Sequence, residues 1–254
     1  MTSAFENMAK SIVIMKPGIL SLKRFDLVIL PEHDKAIKFN NVVYIKGAVS
    51  RLIDKNNEHI KSLIQHYGLD RDSILHPVIG LFVGGENKYL SFDVEVIKKI
   101  LNSLKQSIEC LGGVLLVSTS RRTSSNIAQL LKEELRDYPK CKMLIIANES
   151  NPIGSFEAIL DRSDILVISG DSISMISEGI NSGKYTLVFR LKRKNAFFLS
   201  KHERFIDSLR DDECIYVVSE KNLLSRIQDI WRNSPPKKIL NDKDAVLDRL
   251  KKIL

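Results

Sequence analysis

The sequence predicts an α/β protein built on a parallel sheet, and two observations carry that expectation. From Pro77 to about residue 233, short apolar runs alternate with helical patterns through six cycles. Several of the runs are continuously apolar rather than alternating, as strands covered by helices on both faces must be.

The first 76 residues read differently. Ile12–Met15, Leu27–Leu30 and Val42–Ile45 have the length and composition of strands, and one helical pattern follows near Val49–Tyr67. A complete Rossmann-type domain needs roughly twice this length. This stretch is therefore expected to form a small or incomplete first domain, residues 1–76.

The regular cycle begins at Val78–Val83, whose VIGLFV reads as a buried strand ending in Gly84-Gly85. Ser91 is the candidate N-cap of a helix whose Ile97, Ile100, Leu101, Leu104 and Ile108 fall on one face at helical spacing. Val114–Val117 follows, then a helix from Ser124 that groups Ile127, Leu130, Leu131 and Leu135. Met143–Ala147 precedes a helix from Ser155, and Ile165–Ile168 precedes one from Ser172. Tyr185–Phe189 leads to a helix at Lys201–Leu209, and Ile215–Val218 to one at Lys221–Trp231. Residues 77–233 are thus expected to be a second domain. Pro235-Pro236 marks a linker, and residues 234–254 an amphipathic basic helix expected to pack back on the protein.

Composition narrows the function classes. The hydrophobic share is 44% and the charged share 28%, as in ordinary globular domains. No stretch approaches the roughly 18 apolar residues of a membrane span, and the start lacks the apolar region of about 7–15 residues that a secretory signal needs. A cytoplasmic protein is expected, with the inner face of a membrane as a surface it could touch. The three cysteines, Cys110, Cys141 and Cys214, are widely spaced with no CxxC, so neither a disulfide framework nor a metal site is expected. The net charge of +8 fits attraction to phosphate. With aromatics at 7% and no aromatic ladder, nucleic acid is not expected to be the main ligand.

Ligands of open parallel sheets bind beyond the carboxyl ends of the strands. The candidate loops are therefore Gly84 to Asn87, Ser120 to Thr123, Asn148 to Pro152, Gly170 to Ser172 and Arg190 to Arg193. Gly84-Gly85 allows either a sharp turn or close backbone approach to a ligand. Ser120-Arg121-Arg122-Thr123 sets two guanidinium groups before a helix start, a combination suited to phosphate. The same arginines could instead be solvated or paired with Asp161 or Glu178. Asp171 or Ser172 reads as an N-cap, with a ligand role in addition. Glu178 is either a solvated helical charge or an acceptor for a sugar hydroxyl. Glu32-His33-Asp34 after the second strand could hold a general base or form a polar turn. No G-x-G-x-x-G, P-loop or G-x-S-x-G pattern is present.

Taken in order, the motifs resemble a known group. Phe25-Asp26-Leu27-Val28 with Pro31-Glu32-His33-Asp34, Asn41-Val42 and Lys46-Gly47-Ala48 resemble its first part. Gly84-Gly85, Gly112-Gly113-Val114, Ser120-Arg121-Arg122-Thr123, Asn151-Pro152, the Asp171 to Glu178 stretch DSISMISE and Ser182-Gly183-Lys184 resemble the rest. The chain looks like a member of the elongated-mitochondria fission family of plants and bacteria, regarded as glycosyltransferase-like proteins of GT-B type. The likeness covers residues 11–190, and SRRT and DSISMISE are its most specific pieces.

That resemblance implies a GT-B-like fold of two Rossmann-type domains and transfer of a sugar from a nucleotide-diphosphate sugar, used as substrate, with no cofactor or metal. The unknown acceptor would be of the lipid-linked or cell-envelope glycan kind. By the same analogy Glu178 matches the acid that holds the donor ribose. Gly84, Gly85, Ser120, Arg121 and Arg122 lie by the diphosphate, with Thr123, Asp171, Ser172 and Met175 in the same motifs. By that analogy His33 or Asp34 would be the candidate base. The family pattern begins with a further strand–loop–helix unit before Ser11, for which this chain has no room, and Gly183-Lys184-Tyr185 replaces its Gly-Lys-Pro. The alternative expectation is therefore a non-catalytic or truncated binding protein of the same fold.

Overall fold

The computed structural model describes residues 9–32, 39–48, 54, 56–195, 201–240 and 242–253. The chain forms two compact units, one of residues 1–50 with 240–254 and one of residues 51–239.

The larger unit is organised by six parallel strands: β4 (Val78–Val83), β6 (Val114–Thr119), β7 (Cys141–Ile145), β8 (Ile165–Ser169), β9 (Tyr185–Phe189) and β11 (Tyr216–Val218). Their spatial order is β11-β9-β8-β4-β6-β7. Counted from β4, this is the Rossmann order, in which successive strands add on one side and then on the other. The reversal falls between β4 and β8. All six residues of β4 are buried, because helices cover both faces.

On one face Ile79, Leu81 and Val83 pack with Leu115, Val117, Ile165 and Val167 against three helices. These are α2 (Val94–Leu111), α3 (Ser125–Leu135) and α7 (Leu223–Asn233). The predicted stripe Ile97, Ile100, Leu101, Leu104 and Ile108 lies in this core, each residue at most 1% exposed. The other face holds α4 (Ser155–Arg162), α5 (Ile173–Asn181) and α6 (Lys201–Asp211). There the Phe82 and Phe156 rings stack with centroids 4.4 Å apart. Gly80 lets α4 approach closely, since a Cβ at that position would lie 2.4 Å from Ser163 Oγ.

Some boundaries differ from the sequence reading. Helix α2 is capped by Asp93, whose carboxylate accepts from the N–H groups of Glu95 and Val96. Ser91, the expected cap, instead lies in β5 (Leu90–Ser91), paired antiparallel with β10 (Lys192–Arg193). Strand β7 ends at Ile145 because the next free donor, Ala147 N–H, turns to Thr119 Oγ1 at 2.9 Å. The helix expected at Val49–Tyr67 is α1 (Glu58–His66), with Asn57 accepting from His59 N–H. This helix belongs to the larger unit, where Ile60 packs beside Gly154. The units therefore divide at residue 50 rather than 76.

The smaller unit is a parallel sheet of β1 (Ile12–Ile14), β2 (Leu27–Pro31) and β3 (Val42–Ile45), in that order. Leu27, Ile29, Val43 and Ile45 form one face, and the C-terminal helix α8 (Asp242–Ile253) covers it with Val246, Leu250 and Ile253. Asp242 fixes the start of α8, its two carboxylate oxygens accepting from Lys46 N–H at 2.8 Å and Gly47 N–H at 2.7 Å. The tail is thus an integral layer of the first unit. Among the described residues, no helix is long and apolar enough to cross a membrane.

Asp242→Ala should strand both amides and loosen α8, lowering unfolding stability by about 1–3 kcal/mol in urea titration. The thiols should separate by accessibility. Burial pushes Cys141 up to about 12, whereas Cys110 is exposed. Iodoacetamide at pH 8 should modify Cys110 in the native protein and reach Cys141 only after denaturation, as read by peptide mass analysis.

Candidate functional site

The switch point between β4 and β8 is where a parallel sheet of this order opens a crevice. Here the loop after β4 is Gly84-Gly85, the loop after β6 is Ser120 to Thr123, and the loop after β8 is Gly170-Asp171-Ser172. The structure brings the three together through a network of short polar contacts.

Asp171 stands at its centre, only 2% exposed. One carboxylate oxygen accepts from Gly85 N–H at 2.8 Å. The other accepts from Ser169 Oγ–H at 2.6 Å, and the same Ser169 oxygen accepts from Gly84 N–H at 2.7 Å. A Cβ on Gly84 would fall 2.0 Å from Asp171 Oδ2. Glycine is therefore required there by space, to let the strand end wrap a carboxylate. Gly85 is required by the third loop, since a Cβ there would lie 2.4 Å from Arg122 Cβ. Thr123 completes the tie: its Oγ1–H donates to Gly84 O at 2.6 Å, and its oxygen accepts from Ser120 N–H at 3.0 Å.

Burial holds the Asp171 carboxyl above the usual carboxylate range, opposed by the Ser169 hydroxyl, the Gly85 amide and the charge of Arg122. The Gly84 and Gly85 amides are committed to Ser169 and Asp171. Donors available to an anion must come from elsewhere on the same edge.

Two sources are present. Arg121 and Arg122 are exposed, and among the described residues neither guanidinium has a hydrogen bond or an ion pair with an acid. The alternative of a bridge to Asp161 is not realised, because Asp161 lies beside Arg162. The second source is the start of α5. Ser172 caps it by accepting from Met175 N–H at 3.4 Å, while the N–H groups of Ile173 and Ser174 have no partner inside the helix, as at any helix start. Met175 is half-buried in this first turn, and Glu178 is half-buried further along α5, about 7–8 Å from its start.

The remaining candidates are placed as follows. Arg190 pairs with Asp207 and Arg193 with Glu203, both acids of α6. Glu149, after β7, pairs with Lys132 at 2.6 Å. His33 and Asp34 lie outside the described residues. Among the described residues no group of three His, Cys, Asp or Glu side chains is placed to hold a metal ion. Ser169 is the member of the network that sequence reasoning passed over, although a serine ending the apolar run ILVIS was a visible signal.

The family model described as mitochondrial fission ELM1 matches residues 3–252. The chain belongs to this family. An uncharacterized protein of Rickettsia prowazekii (strain Madrid E) is 25% identical over 250 residues, covering 85% of this chain and 66% of its own length. The mitochondrial fission protein ELM1 of Arabidopsis thaliana is 23% identical over 185 residues, covering 64% of this chain and 42% of its own length. The chain thus spans less than two thirds of these relatives.

Among solved structures, UDP-GlcNAc 2-epimerase from Methanocaldococcus jannaschii superposes with a TM-score of 0.59 at 14% identity, covering 99% of this chain and 72% of that one. The enzyme of the same name from Neisseria meningitidis, bound to UDP-GlcNAc, gives 0.55 at 16% identity, covering 85% and 57%. These similarities show a GT-B-like fold, as the sequence resemblance implied.

The elevated Asp171 carboxyl makes a signed prediction. Between the unfolded pKa near 3.8 and its higher folded value, the native state holds more protons than the unfolded state. Its contribution to stability is full below the unfolded value and is lost as pH rises through the folded one. The melting temperature of the wild type minus that of Asp171→Asn should therefore fall as pH rises from about 3.5 to 8. A flat difference would mean that the carboxylate is not held in this desolvated pocket.

Proposed function

We propose that the larger unit binds a nucleotide-diphosphate sugar at the switch-point edge and that the protein transfers its sugar to an acceptor. The observation that carries this reading is the pair of exposed arginines, Arg121 and Arg122, neither of them hydrogen-bonded or ion-paired to an acid among the described residues, beside the start of α5 at the crevice between β4 and β8. Two guanidinium groups and a helix start supply charge-assisted donors for a diphosphate, and the same groups would stabilise the diphosphate as it leaves. The GT-B-like solved structures support the ligand class, since one holds UDP-GlcNAc and another, from S. aureus, is a UDP co-structure with a TM-score of 0.54.

In this reading Glu178 accepts from a donor ribose hydroxyl, and His33 or Asp34 serves as base toward the acceptor. The acceptor is a lipid-linked or cell-envelope glycan, met by a cytoplasmic protein at a membrane face. A second reading, binding without turnover, is favoured by the Gly84-Gly85 amides being occupied by Asp171 and Ser169.

The test is a melting titration with UDP, GDP, CMP and ADP, followed by turnover with the matching nucleotide sugars. One nucleotide should stabilise the protein, by about 2.7 kcal/mol at 100 times its dissociation constant. Arg121→Ala with Arg122→Ala should weaken that nucleotide roughly ten- to hundredfold. No stabilisation by any of the four would sink the transferase reading. Stabilisation without sugar transfer or hydrolysis would select the second reading.

A further inference from the structure

The opposite edge of the same sheet carries a second group of cations. A cavity of about 510 Å³ lies within the larger unit, lined by Ile60, Lys61, Ile64 and Gln65 of α1 with Asp70, Arg71, Asp161 and Arg162. Asp161 and Arg162 end α4 just before β8 begins, so the cavity sits at the amino ends of the strands, away from the switch-point crevice.

Its lining holds three cations, Lys61, Arg71 and Arg162, against two acids, Asp70 and Asp161. Arg71 Nη2–H and Lys184 Nζ–H both donate to one neutral acceptor, Asp161 O, at 2.9 and 3.0 Å. Lys184 is held below the usual lysine range, first by burial and next by the charge of Arg71. Among the described residues the Arg71 guanidinium has no other hydrogen bond. Arg162 Nε is buried with no hydrogen-bond partner. It lies 3.3 Å from Asp161 Oδ2, near enough for attraction but out of line for a bond. Among the described residues the Lys61 side chain pairs only with exposed Glu58, at 3.2 Å, a pair worth little.

The acids that face this group are Asp70 and Asp161 in the lining, with Asp164 behind Lys184 and already engaged by Val78 N–H and His76. A buried arginine N–H without an acceptor is costly, and two guanidinium groups at one wall suit the oxygens of a phosphate. The volume falls in the range of small-ligand pockets, roughly 300–1,000 Å³, so a bare phosphate would leave room for a carbon skeleton along Ile60 and Ile64.

We propose that this cavity binds a phosphomonoester, its phosphate held by Arg71 and Arg162 with Lys61 at the mouth and its organic part against α1. The site lies wholly within the larger unit and does not depend on nucleotide binding at the other edge.

Glucose 6-phosphate, as a soluble phosphomonoester, is titrated into the full chain while the melting temperature is followed, with glucose and sodium chloride at matched ionic strength as controls. In parallel, phosphatidylcholine vesicles with and without phosphatidic acid test a lipid headgroup as the source of the phosphate. A saturable rise with glucose 6-phosphate, absent with both controls, is expected. Its dissociation constant should increase at least about tenfold in Arg71→Gln with Arg162→Gln, and remain unchanged in Arg121→Ala with Arg122→Ala. Should the double variant not fold, Lys61→Gln at the cavity mouth should weaken binding severalfold. Binding to phosphatidic acid vesicles alone, lost in the same variants, would assign the site to a headgroup. A rise that chloride reproduces, one that Arg71 and Arg162 do not influence, or no response to either phosphate source would overturn the proposal.

Discussion

The hydrogen bond from Gly85 N–H to the Asp171 carboxylate joins the ends of β4 and β8 across 86 residues of sequence. It matters because the switch point is the one place in a Rossmann-ordered sheet where helices leave in opposite directions and the strand ends are left uncovered. Strand ends at such a place carry backbone donors with no ladder partner, and these need acceptors. Asp171 and Ser169 supply them, and Thr123 ties in the loop after β6. Gly84, Gly85 and the position of the Arg122 backbone all follow from this packing, since a side chain at either glycine would meet atoms of the other two loops. The two arginines are consequently presented from a loop fixed at both ends.

The same network explains which parts of the site were legible beforehand. Runs such as VIGLFV and ILVIS announce buried strands through composition, and the loops after them were correctly located as one edge. The burial of Asp171 could not be read, because a carboxylate at a helix start looks identical whether it caps its own helix or reaches a distant amide. The helix cap is in fact Ser172, one residue on. The Ser91 reading failed for a related reason. Serine and aspartate are both good caps, and the choice of Asp93 reflects the pairing of Ser91 with Lys192, a contact that local sequence does not encode.

The first unit shows how a short sheet can be completed from a distant part of the chain. Three strands present an apolar face of Leu27, Ile29, Val43 and Ile45 that, among the described residues, is packed by Val246, Leu250 and Ile253. The C-terminal helix covers it, and the Asp242 carboxylate bonded to the Lys46 and Gly47 amides sets where the helix starts. The amphipathic pattern of Val246, Leu250 and Ile253 was visible in sequence, but amphipathicity names a buried face and not the surface that buries it.

The excess of basic residues acquires structure when each cation is placed. Arg190, Arg193, Lys132 and Lys140 are matched by acids and contribute little net attraction at their positions. Arg121 and Arg122 stand at the carboxyl edge of one sheet, and Arg71 with Arg162 at its amino edge. Their settings differ in kind. The first pair is exposed, so its attraction is long in range and screened by salt. Arg162 and Lys184 are substantially buried, so charge there is screened far less and geometry decides what fits. A parallel sheet has chemically distinct edges because helices enter at one end of the strands and leave at the other. In this chain that polarity separates exposed guanidinium groups at one edge from partly buried ones at the other within a single domain.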